Sequence, residues 1–101
     1  MKTSELTGAQ LDWAVAKCEG MTIWPKYPTA TWHEYSPSTD WLQAGPIIER
    51  EKLCITATPS AHWDARTTDY PPTYHSGPTP LVAAMRCYVA SKLGEYVDVP
   101  F

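Results

Sequence analysis

The chain has 101 residues, a formal net charge of −3 and 19% charged residues, with eight Lys and Arg against eleven Asp and Glu. That length supports one hydrophobic core, so a single domain over residues 1–101 is expected. The missing basic excess excludes duplex nucleic acid as a main partner, because displacing the counterions of a phosphate backbone takes several clustered cations.

The opening MKTSELTGAQ has no apolar h-region, and no run approaches the roughly 18 apolar residues of a membrane span, so a soluble cytoplasmic protein is expected. Cys18, Cys54 and Cys87 are odd in number and widely spaced. They fit neither a disulfide framework nor a metal knuckle and read as reduced packing residues. Leu, Ile and Val together number fifteen, whereas Trp, Tyr and Phe number twelve. With so thin an aliphatic set, the rings either replace missing aliphatics in the core or line a surface where their polar atoms find partners.

In chain order, Thr7-Gly8-Ala9-Gln10 has the form of a capping box and Gly20 suits a left-handed stop, which predicts a helix over about 8–19. Leu11, Ala14, Val15 and Cys18 make its buried stripe, and Trp13 points away from it, as cover for another element or exposed. From Met21 to Tyr35 β-branched and aromatic residues dominate and Pro25 and Pro28 break any helix, predicting short strands near 21–24 and 30–35. Ser36-Pro37-Ser38-Thr39-Asp40-Trp41 reads as a turn with Ser38 as N-cap. A single helical turn carrying Trp41 is then expected to end at Gly45, with Pro46 opening a second short helix to Lys52.

Leu53–Thr58 alternates apolar and polar residues as a half-buried strand does, another strand is expected around 61–66, and the Pro-rich loop 69–77 has room for a short extended piece at Tyr74. The last helix is capped by Thr79, begins at Pro80 and closes at Gly94. Leu81, Val82, Met85, Tyr88, Val89 and Leu93 give it a wide apolar face, and Ala83, Ala84, Cys87, Ala90 and Ser91 a small opposite one. A helix with no charged face is covered on both sides, which makes this one the spine of the domain. The fold class that follows is α+β: a mainly antiparallel sheet of three to five short strands, with the first and last helices against it and short helical turns at 38–52.

Within the last helix Arg86 borders the apolar face. A guanidinium there needs either an acid, such as Asp40, Glu49 or Asp64, or a fixed anion, phosphate or carboxylate, which its planar fork would hold.

LTGAQLDWAVAKCEG, SPSTDWLQAGPIIERE and GPTPLVAAMRCYVASKLGEYVDVP together resemble the NinX-like family of small phage proteins. The resemblance runs the length of the chain and is weaker over 21–35 and 54–76. It implies a phage-encoded accessory protein in a bacterial cytoplasm and transfers no catalytic residues. Ser38, Thr39, Asp40, Trp41, Glu49, Arg50 and Arg86 lie in the blocks that carry it.

No catalytic device is legible. His33, His62 and His75 accompany no G-x-S-x-G elbow, and His62, His75, Asp64 and Asp69 show no H-x-x-x-H or H-x-x-E-H spacing. A non-enzymatic protein without metal or cofactor is expected. Its first reading is a binder of a small phosphorylated or nucleotide-like molecule. In that reading Trp41, Trp63 or a loop tyrosine stacks on a base, Arg86 or Arg50 holds phosphate, and Ser38, Thr39 and Asp40 bond the ribose. In a phage such a binder would sequester a nucleotide signal of bacterial immunity. The second reading is a protein–protein module that inhibits or redirects a host factor through aromatic and arginine hot spots. The aromatic surplus leaves homodimerisation open.

Overall fold

The structure, a computed structural model, describes residues 1–21 and 35–100. The strands expected near 21–24 and 30–35 lie outside the described residues but for Met21 and Tyr35.

Helix α1, Gly8–Cys18, starts after an extended Thr7, and Gly20 follows it with φ +71. The expected capping box does not form, because the Thr7 hydroxyl makes no capping bond. Gly8, the first residue of the helix, takes the left-handed φ of +54. All residues from Leu11 to Ala16 are buried, a broader face than the expected stripe. Trp13 is among them, with the Lys17 ammonium over its ring at 5.3 Å.

The middle segment departs most from expectation. It is one continuous helix, α2, Trp41–Glu51, with Pro46 inside it and Asp40 rather than Ser38 as N-cap. Asp40 Oδ1 accepts the Leu42 N–H at 2.9 Å. Pro46 removes the donor that would bond the Leu42 carbonyl, but Leu42 and Pro46 are both exposed, so water can serve that carbonyl. Gly45 has no Cβ to clash with the proline ring, which lets the residue before proline stay helical. The helix stops instead at Lys52, which takes the left-handed conformation at φ 53 while Leu53 N–H reaches back to Ile48 O at 3.1 Å.

Strands β1 (Cys54–Ala57), β2 (Trp63–Arg66) and β3 (Tyr74–Gly77) form an antiparallel sheet in the order β1-β2-β3. Ile55, Ala65 and His75 stand in register, as do Thr56, Asp64 and Ser76. Ala65 and Gly77 are buried while Asp64, Arg66, Tyr74 and Ser76 are exposed, so the first register row faces the interior and the second faces outward.

Helix α3, Pro80–Leu93, is the middle layer. Thr79 Oγ1 accepts Val82 N–H at 3.1 Å, and Leu81–Met85 and Cys87–Ala90 are buried around the whole circumference. The sheet lies against α3, and α1 and α2 also pack on it. The first helix was expected against the sheet; its main contact is α3 instead, because a helix apolar or small on every side needs cover from both directions. A Cβ at Gly77 would lie 2.9 Å from both Ala83 N and Val82 Cγ1, so only glycine permits β3 to approach α3 this closely.

The ends of the described chain are tied together. Met1 and Val97 exchange backbone hydrogen bonds, Thr3 N–H donates to Glu95 O at 2.8 Å, and the Thr3 hydroxyl donates to Gly94 O at 2.7 Å. No helix among the described residues is long and apolar enough to cross a membrane.

Candidate functional site

Ser38, Thr39 and Trp41 share one hollow of about 270 Å³ with Thr79, Pro80 and Leu81. Two helix beginnings meet there, because the turn 36–39 that leads into α2 lies against the capped start of α3. The turn is held from inside by Asp12, whose Oδ1 accepts the Ser38 N–H at 2.9 Å. Burial pushes the Asp12 carboxyl above its ordinary range, against the opposing pull of its hydrogen bonding with Ser38. The Ser38 hydroxyl is buried beside that carboxylate without a hydrogen bond of normal geometry. Ser36 N–H donates to Gln43 Oε1 at 2.6 Å and Thr39 N–H to Ser36 O at 3.0 Å, so the turn is fixed on both sides. Trp41 stands 55% exposed at the rim, with Leu42 beside it 84% exposed.

The other expected site residues lie elsewhere. Asp40 is engaged as the cap of α2. Arg50 grips Glu19 with two donors at 3.1 and 2.6 Å, Glu51 with its Nε–H at 2.9 Å, and the Tyr88 hydroxyl at 3.1 Å. Tyr88 donates to the same Glu19 carboxylate, and Lys92 Nζ lies 3.1 Å from Glu51. Arg50 thus knots α1, α2 and α3 together, and these acids answer its charge. Hydrogen bonds from Arg50 hold both Glu19 and Glu51 below the ordinary glutamate range. Trp63 stands on the inner side of β2, half-buried against the core, opposite Gly77.

Arg86 has no carboxylate partner among the described residues. Its Nε–H donates to Leu6 O at 2.9 Å and its Nη1–H to Ser76 O at 3.0 Å. The guanidinium therefore ties the segment before α1 to the outer strand β3, with Nη2 uncommitted among the described residues. Burial without an opposite charge lowers its pKa. The acids weighed as its mates, Asp40, Glu49 and Asp64, do not take that place, and Arg86 is not in the wall of the Trp41 hollow.

Sequence reading missed that Thr79, Pro80 and Leu81 form the far wall of the hollow. Their helix-start signature was legible, but its position against 38–41 is a tertiary fact.

The described residues thus form an α+β arrangement in which α3 is packed by the sheet and by α1 and α2, with Arg86 held by main-chain carbonyls and a hollow where two helices begin. Residues 2–92 match the family described as Bacteriophage P22, NinX, and the chain belongs to that family. No curated protein matches it.

Proposed function

We propose that this phage protein is a non-enzymatic binder that sequesters a small phosphorylated or nucleotide-derived molecule in the host cytoplasm, such as a signal of anti-phage immunity. Arg86 carries the reading: it is half-buried, its charge is answered by no carboxylate among the described residues, and one donor nitrogen remains uncommitted. A phosphate would supply the missing negative charge through a charge-assisted hydrogen bond. Trp41, in a hollow that Arg86 does not line, offers a separate ring face on which a base can stack.

Thermal shift with a broad panel of nucleotides and nucleotide-derived signals tests this. One of them should raise the Tm of the wild-type protein, and Arg86→Lys, which keeps the charge but not the fork, should lose most of that rise. The failure of every nucleotide to shift the Tm would end the reading. Chromatography showing the bound molecule converted to product would replace it with an enzyme.

Exposed Trp41 and Leu42 favour a second reading, a module that binds a host protein through this edge. Recovery of one stoichiometric bacterial protein, lost on Trp41→Glu, would support that reading.

A further inference from the structure

The outward face of the sheet is the one broad surface of the three strands that α3 does not cover. Its residues come from alternate positions: Thr56 from β1, Asp64 and Arg66 from β2, Tyr74 and Ser76 from β3. Polar residues on the wet side of a small sheet are ordinary. Their arrangement here is more particular. Tyr74 stands directly opposite Arg66 and is 63% exposed. Asp64 is two residues from Arg66 on the same strand, which separates them by about 7 Å, and it lies diagonal to Tyr74 at a similar distance. Among the described residues neither Arg66 nor Asp64 forms an ion pair. Two hollows, of about 170 and 330 Å³, open on this face, and both include Asp64 and Tyr74 in their walls. An aromatic ring thus has beside it, on the neighbouring strand, one anion and one cation that are unpaired among the described residues, within the span of a single nucleotide.

We infer that this face is a binding site for a guanine mononucleotide. The base stacks on Tyr74, which accepts any π-face and so gives affinity without choice. The choice comes from Asp64. An ionised carboxylate only accepts hydrogen bonds, and its two oxygens match two adjacent donors. Guanine alone among the common bases presents such a pair, N1–H beside the N2 amino group. Adenine and cytosine set an acceptor next to their amino group, and uracil sets a carbonyl on each side of its N–H, so each brings an oxygen or lone pair against the carboxylate. Arg66, directly across from Tyr74 and two positions along β2 from Asp64, takes the phosphate. The inference takes its ligand class from the proposed function but none of that function's residues, so the two fail separately.

The test uses guanosine 5′-monophosphate, adenosine 5′-monophosphate and guanosine, titrated into the full chain by calorimetry, with amide chemical shifts to map the contact. Saturable binding of the guanine nucleotide, at least about tenfold tighter than the adenine one, is expected, with shifts centred on 64–66 and 74. Tyr74→Ala should weaken it about tenfold or more. Asp64→Asn should erase most of the guanine preference, and Arg66→Gln should weaken the nucleotide while leaving guanosine unchanged. All three side chains are exposed, so the variants should keep the wild-type Tm. Equal affinity for the two nucleotides, or no binding of either, overturns the inference. Shifts centred on Arg86 and Leu6 with the sheet face silent also overturn it, while leaving the Arg86 reading in place.

Discussion

Arg50 and Arg86 carry the same charge and meet opposite circumstances. Arg50 is surrounded by Glu19, Glu51 and Tyr88, and its work is to join three helices. Its effect on Glu19 and Glu51 makes the joint sensitive to acid. Both carboxyls are held below the ordinary 4.5 by hydrogen bonds from Arg50. The folded state therefore binds fewer protons than the unfolded chain as pH falls toward that range. The stabilisation is complete above about pH 5.5 and is lost as pH drops through the depressed values. Asp12 acts in the opposite sense, since its raised carboxyl favours the folded state on protonation. Melting temperature recorded from pH 7 to pH 3 should fall on the acid side, and Glu19→Gln should flatten that fall by removing one of the two titrating partners. A steeper acid loss in the variant would contradict this account of the joint. Arg86 illustrates the other case. The sequence shows a lone cation on an apolar helix and requires that something satisfy it, and two main-chain carbonyls take part of its donor set while leaving its charge unanswered among the described residues.

Among the elements, α3 governs the others. Its ends were legible because Thr79, Pro80 and Gly94 are chemically specific start and stop residues. Its burial on all sides was legible from the lack of a charged face. The closeness of β3 was not, because Gly77 reads in sequence as a loop residue before Pro78. The structure makes it a packing residue. Gly77→Ala forces a methyl group to within 2.9 Å of a backbone nitrogen on α3, so the strand or the helix must shift. A loss of about 1–3 kcal/mol is expected for such overpacking, measured as a lower denaturant midpoint at unchanged slope. Helix α2 teaches a different lesson. Gly45-Pro46 is the strongest helix-breaking pair in the segment, yet the helix passes through it, since the preceding glycine relieves the proline's steric conflict and the orphaned carbonyl faces water. Local propensity was overruled there by the packing of Ala44 and Ile47, both buried on the same helix.

For the whole molecule, the first residues close the structure against the segment after α3. Thr3 is fully buried and joins both sides of this closure through its amide and its hydroxyl. Thr3→Val preserves its shape and removes only the hydroxyl donor to Gly94 O. It should lower unfolding free energy by about 0.5–1.5 kcal/mol, read by urea denaturation, because the closure loses a part-buried hydrogen bond.

What the sequence by itself determined is the set of local decisions: where α1 and α3 begin and end, the presence of a strand within 53–58, which forms as Cys54–Ala57, and the family that three ordered blocks identify. Each depends on residues within a few positions of one another, so short-range chemistry suffices. Only the tertiary structure decided which of the expected binding residues come together. Ser38, Thr39 and Trp41 meet a wall supplied by residues some forty positions away, Arg50 is claimed by Glu19 across 31 positions, and Arg86 reaches Leu6 across 80. Such encounters follow from how layers stack on α3, and no spacing along the chain encodes them.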